Sequence, residues 1–277
     1  MQIDKFTFGM RGHDLGKSLE EMCRNAKKFN ITRLQFAPAI TMKDIDFDVT
    51  GYDEAVAERM VTTLNSYDLR VSVLGCYIDP ITAETLEARL TRFENFIRYA
   101  KAVDATVIGT ETGKLDTVEA THSDRTFAKF VKSMERLLPI AEGYGVNIGI
   151  EPVWGNTVYS VQRMNQLLDY FNSDNLNVIF DPINILNRDN CLHQNEVIDS
   201  AVEVLGDKIK SLHLKDYVIE NDRLRRVPVG TGQFDVSYCL ERIGELKTVP
   251  DVMLDEMPLA DLDGVRERLE EIRLKEL

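Results

Sequence analysis

Short β-branched or apolar runs alternate with longer stretches of helical period along the whole chain, and this alternation narrows the fold more than any other feature. The runs are FTFGM (6–10), RLQFA (33–37), VSVLGCY (71–77), TVIGT (106–110), VNIGIE (146–151), NVIFD (177–181), KSLHLK (210–215) and VMLDE (252–256). Between them, segments such as SLEEMCRNAKKF, YDEAVAERMVTTLNSY, LEARLTRFENFIRYAKAV and FAKFVKSMERLLPIAEGYG repeat apolar residues at intervals of three and four, the pattern of an amphipathic helix. Ser160 and Asp235 suit helix N-caps, and Gly143 and Gly145 suit a helix end. Regular strand–helix alternation implies a parallel sheet with right-handed crossovers. At roughly 35 residues per unit, eight units fill the 277 residues. The expected fold is α/β, a single (β/α)8 TIM barrel in one domain over residues 1–277. An open doubly wound sheet needs fewer strands and carries a Gly-rich fingerprint after the first, and GMRGHDL does not match that spacing.

Charge and composition restrict the partners. With 33 Lys and Arg against 46 Asp and Glu, the formal charge is −13, which disfavours nucleic acid because affinity for a phosphate backbone comes mainly from basic side chains. The apolar stretches reach only four to six residues, against the roughly 20 that a membrane-crossing helix needs. MQIDKFTFGMRGHDL lacks the basic and apolar regions of a secretory leader. Cys23, Cys76, Cys191 and Cys239 form no CxxC pair, so they suggest neither a zinc knuckle nor a disulfide framework. A cytoplasmic protein with reduced core thiols is expected, with no membrane partner. The sequence leaves open whether copies associate into a homo-oligomer.

In such a barrel the chemistry sits at the carboxyl ends of the strands. The fifth strand ends at Glu151, the sixth at Asp181, the seventh carries His213, and the eighth ends at Glu256. Side chains alternate between barrel interior and helix layer. With Ile148, Ile150, Val178, Phe180, Leu212 and Leu214 outward, Glu151, Asp181, His213 and Lys215 fall inward. The eighth strand is less clean: Glu256 shares a face with Val252 and Leu254, leaving Asp255 beside Met253 on the helix side, so Glu256 is preferred as the inward group and Asp255 is its rival. A single carboxylate before proline is most often a turn or a helix cap. Four metal-ligand types on successive strand ends converge too well for that, and three gathered carboxylates would repel unless a cation sat among them. Glu151, Asp181, His213 and Glu256 are therefore the expected ligands of one divalent metal. An oxygen-rich set with one imidazole suits Mn²⁺ or Mg²⁺, and tolerates Zn²⁺ or Co²⁺.

Together with IEP (150–152), FDP (180–182), HLKD (213–216), VGTGQFD (229–235) and LDE (254–256), this pattern resembles the xylose-isomerase-like barrel superfamily across all eight units. That group holds sugar isomerases and epimerases, inosose dehydratases and family 2 apurinic endonucleases. The resemblance implies the same four metal ligands, with Glu151 and Glu256 also transferring protons. There is one departure. Many members carry a histidine three residues after the sixth-strand aspartate, where this chain has Asn184. The endonuclease branch needs several more histidines for three zinc ions, and the chain has only His13, His122, His193 and His213. His13 is the one other histidine expected at the rim.

Weaker signals complete the expected site. Lys215 shares the face of His213 and could polarise a carbonyl, or simply pair with surplus carboxylates. Glu111 could bind a hydroxyl or form a salt bridge, and Trp154 and Asn156 would offer an apolar wall and a hydroxyl partner. The VGTG turn (229–232) could hold phosphate through backbone N–H groups, with Arg223, Arg225 and Arg226 just upstream, and Arg226 is included among the substrate-binding residues. The leading expectation is an enzyme of carbohydrate metabolism: a metal-dependent, most readily manganese-dependent, isomerase or epimerase of a small sugar or sugar phosphate. It would work by Glu-mediated proton transfer through a metal-stabilised enediolate. The alternatives are a metal-dependent dehydratase of a cyclic polyol ketone and a non-catalytic sugar-binding barrel.

Overall fold

The computed structural model describes residues 3–274. Its strands are β1 (Phe8–Arg11), β2 (Arg33–Phe36), β3 (Arg70–Gly75), β4 (Val107–Thr110), β5 (Ile148–Ile150), β6 (Leu176–Phe180), β7 (Ile209–Leu214), β8 (Asp216–Glu220), β9 (Arg223–Val227) and β10 (Asp251–Leu254). Eight of them close into a parallel barrel in the order β1, β10, β7, β6, β5, β4, β3, β2, while β8 and β9 pair with each other. The expected TIM barrel is borne out, each expected strand appearing close to its place. Ser160 and Asp235 cap helices by accepting the N–H groups of Arg163 and Tyr238. Gly145 ends the helix Asp124–Tyr144 in a left-handed conformation at φ 65°, and Gly143 lies inside that helix. Among the described residues, no helix is long and apolar enough to cross a membrane.

Alternation along the strands builds two separate cores. Outward-facing Ile148, Ile150, Val178, Phe180, Leu212 and Leu214 join the large core under the helices, while Val73, Val107 and Ile179 form a small cluster inside the barrel. Ile179 fits there because Gly109 faces it: a Cβ on Gly109 would lie 2.7 Å from both Ile179 Cδ1 and Val73 Cγ1. Met253 covers Gly9 in the same way, its Cε 2.5 Å from where a Cβ would stand. These side chains plug the barrel. Two residues further along the same faces come Asp181 after Ile179, Glu151 after Gly149 and Asp255 after Met253, so the polar layer rests directly on an apolar floor.

The β8–β9 ribbon was not among the expected strands. Its two-residue turn, Asn221 and Asp222, has φ of 49° and 60°, the left-handed pair that matches the twist of a tight hairpin. Asp216, at its base, is fully buried. One oxygen of Asp216 accepts the N–H groups of Tyr217 and Phe234 at 2.7 and 3.0 Å, and the other accepts those of Gly230 and Gly232 at 2.9 and 2.8 Å. The VGTG backbone donors that suggested a phosphate site are thus spent on an internal carboxylate, which would also repel a phosphate. The residue before them in HLKD is what the sequence reading did not connect. Asp216→Ala would orphan these buried donors, and it should destabilise the fold by about 3 kcal/mol, read as a lower midpoint in urea. An unchanged midpoint would show that the loop holds itself.

Candidate metal centre

Glu151, Asp181 and His213 each bring one ligand atom to within 4.8 Å of the others. They stand at the ends of three neighbouring strands, β5, β6 and β7, and are almost wholly buried. Asp181 divides its work between its two oxygens. Oδ1 accepts the N–H groups of Ile183 and Asn184 at 3.0 and 3.1 Å, capping the helical turn Pro182–Ile185. Oδ2 accepts no hydrogen bond, although the Lys215 ammonium lies 2.9 Å away. Oδ1 is thus a helix cap, and Oδ2 is the oxygen that could face a cation. His213 is more exceptional: its ring is fully buried and neither nitrogen has a hydrogen-bond partner. Nδ1 lies 3.4 Å from Glu151 Oε1 and 3.6 Å from Asp255 Oδ2. Buried polar groups are nearly always paired, so an imidazole left bare among carboxylates has the chemistry of a ligand.

The eighth strand corrects the sequence expectation. Asp255, not Glu256, turns inward: it is 6% exposed, with Oδ2 2.9 Å from Lys215 Nζ and Oδ1 3.0 Å from an Arg11 nitrogen. Glu256 is 42% exposed, at φ 50°, and its backbone N–H donates to Asp255 Oδ1 at 2.8 Å. Its carboxylate faces Arg226 at 3.5 Å and Lys215 at 3.8 Å from the mouth of the cavity. The reason is the register of β10, where Met253 lies opposite His213 and points into the barrel over Gly9. Val252 and Leu254 face the helices, so the parity of the strand is the reverse of that expected.

Electrostatics follow from this packing. Burial pushes the Glu151 and Asp255 carboxyls up, but His213 and Lys215 more than offset it, and both are held low. Burial prevails at Asp181, raising it against the pull of Lys215. Burial would lower Lys215 and His213, yet the surrounding carboxylates raise both, so Lys215 stays an ammonium. Three buried carboxylates against one ammonium, with Arg11 shared between Asp255 and Asp14, leave an excess of negative charge. The donor set fits a hard divalent cation.

Above these groups opens a cavity of about 330 Å³. His13 lines it, its Nδ1 buried without a partner, and its pKa is lowered by burial and by Arg11. Glu111 also lines it, raised by burial and by Glu151, and it accepts a 2.6 Å hydrogen bond from Asn156. Asn156 thus acts on the cavity through Glu111. Trp154 and Arg226 border a neighbouring cavity instead. Besides Arg11, two residues here escaped the sequence reading as members of the site. Tyr77, just beyond β3, lines the cavity with its hydroxyl bonded to Gln35. Asn184 donates from Nδ2 to Glu151 Oε1 at 2.8 Å and accepts from Arg226 at 3.0 Å. It stands where the family resemblance leads one to look for a histidine, and it holds the Glu151 carboxylate.

A sequence model of the xylose isomerase-like TIM barrel matches residues 17–274. The chain belongs to this family. A D-tagatose 3-epimerase-like protein shares the fold at a TM-score of 0.78 and 16% identity, over 96% of this chain and 97% of that one. A xylose isomerase-like TIM barrel protein from Mycobacterium smegmatis, in complex with magnesium, follows at 0.74 and 12% identity, over 97% and 96%. The IOLI protein with a bound zinc atom superposes at 0.73 and 15% identity, over 96% and 98%. No curated protein matches at a significant level. At such identities the likeness to solved structures carries the fold, and the buried Glu/Asp/His cluster must be read from its own geometry.

Proposed function

We propose that this family member is a divalent-metal-dependent isomerase or epimerase of a small polyhydroxy carbonyl compound. The observation that carries this reading is the unpartnered His213 ring, buried with Asp181 beside Glu151 and Asp255, which line an open cavity. A bound Mn²⁺ or Mg²⁺ would draw electron density from a carbonyl and its neighbouring hydroxyl, acidifying the hydrogen on the carbon between them. Glu151, ionised and fixed by Asn184, accepts that proton. Asp255 is poorly suited to return it, since both its oxygens are already engaged by Arg11, Lys215 and the Glu256 N–H. Glu256 is the freer group, and in its acid form it would deliver a second proton to the opposite face while Glu151 keeps the first. Glu256 follows β10, three places round the barrel from β5, so it approaches the substrate from across the cavity. Lys215, held as an ammonium, supports negative charge on a substrate oxygen.

The test is an exchange assay in D₂O with the Mn²⁺-loaded protein and a panel of ketoses and aldoses. Interconversion of isomers with deuterium entering at the α-carbon is the expected result. An enone absorbing in the ultraviolet would instead mean dehydration. Absence of both exchange and metal uptake would leave a sugar-binding barrel and sink the enzyme reading.

A further inference from the structure

A second cavity of about 410 Å³ opens beside the metal centre and shares Val153 and Asn184 with it as a common wall. One side is apolar, with Trp154 and Val153, while Leu224 sits among the arginines of β9. Trp154 is fixed at both ends of its peptide unit: its N–H donates to the Asn184 carbonyl at 2.7 Å, and its own carbonyl meets His122 Nε2 at 2.7 Å. His122 is held in turn by stacking on Tyr159 at 3.7 Å. The backbone that carries the indole is therefore held in place. The β9 strand supplies the other side through Arg223 and Arg226.

The charges do not cancel. Arg188 and Asp222 neutralise each other at 2.7 Å, and Asp189 adds one carboxylate. Among the described residues no side chain partners Arg223, and Arg226 has only Asn184 and the Glu256 carboxylate at 3.5 Å. Counted by their linings alone, three arginines against two aspartates adjoin four carboxylates against Arg11 and Lys215. Two hydrogen bonds, Arg226 to Asn184 at 3.0 Å and Asn184 to Glu151 at 2.8 Å, join them, a span that one small molecule can bridge. The backbone donors of the VGTG loop are unavailable to an anion, since Asp216 holds them.

We infer that the second cavity receives the anionic end, phosphate or carboxylate, of a substrate whose carbonyl end lies at the metal centre. This rests on the functional reading above and narrows its substrate class. Trp154 would cover the C–H face of the carbon chain, and Arg223 and Arg226 would meet the anion.

Isothermal titration of the Mn²⁺-loaded protein with D-fructose 6-phosphate, D-glucuronate and D-fructose tests this. At least one anionic sugar should bind about tenfold or more tighter than fructose, the tighter of the two showing whether phosphate or carboxylate is favoured. Arg223→Gln with Arg226→Gln should erase that advantage, and Arg223→Gln alone, which touches no residue of the metal centre, should reduce it. Equal binding of neutral and anionic sugars, no binding of either anion, or an advantage retained in the double variant would overturn the inference. Metal content measured on the same samples keeps the two readings apart: anion binding through these arginines in a protein that takes up no metal would sink the isomerase alone, and exchange confined to neutral ketoses would sink the anionic subsite alone.

Discussion

Glu151→Gln should lower exchange of the substrate's α-hydrogen by about a thousandfold, within the ~10²–10⁴-fold that a positioned general base contributes. The substitution keeps the shape of the side chain, and its amide oxygen can still accept from Asn184 Nδ2, which now meets Glu151 Oε1 at 2.8 Å. What it removes is the basic oxygen and one negative charge beside His213. The loss must therefore be read at saturating Mn²⁺, with metal content measured, so that weaker ligation is not mistaken for lost proton transfer. Exchange within tenfold of wild type in the metal-loaded variant would remove Glu151 from the chemistry.

His213→Ala should weaken Mn²⁺ binding by about a hundredfold or more, because even partners outside the coordination shell cost ~10–100-fold when lost. The clean readout is the increment that metal adds to stability. At a hundred times its dissociation constant a ligand stabilises by about 2.7 kcal/mol, which for a chain of this size raises the melting temperature by roughly 5 °C or more. The wild type should show that rise and the variant should not, whatever its baseline, which a cavity at this fully buried position will lower. Burial alone would depress the His213 pKa, but Glu151 and Asp255 raise it on balance. The metal must displace a proton there, so wild-type affinity should fall as pH falls. An equal metal-dependent rise in the variant would mean that the imidazole is not a ligand.

Much of this was legible in the sequence, and the gaps have physical causes. Strands β5, β6 and β7 betray their inward ends because each carries a single ligand type, Glu151, Asp181 or His213, next to apolar neighbours, even in β6, where Ile179 makes both faces apolar. In β10, Val252, Met253 and Leu254 are apolar on both faces, since a barrel interior accepts Met253 over Gly9 as readily as the helix layer accepts Leu254. Alternation then carries no sign, and the two adjacent carboxylates, Asp255 and Glu256, compete for the inward place. The ribbon was missed because YVIENDRLRRV is rich in charge, although its Asn-Asp pair between two β-prone runs is a hairpin signal. The VGTG turn misled for a different reason. Its donors are answered by Asp216, a partner fourteen or more residues away, and no local motif records that.

The β8–β9 ribbon contributes no strand to the closed barrel. Its length and tip can change through evolution without disturbing the closure or the plug beneath the polar layer. Arg223 and Arg226 ride on it, whereas Glu151, Asp181, His213 and Asp255 belong to the barrel itself. If the two proposals hold, the groups that meet the anion and the groups that meet the carbonyl sit on separate parts of the chain, so one could change while the other is kept.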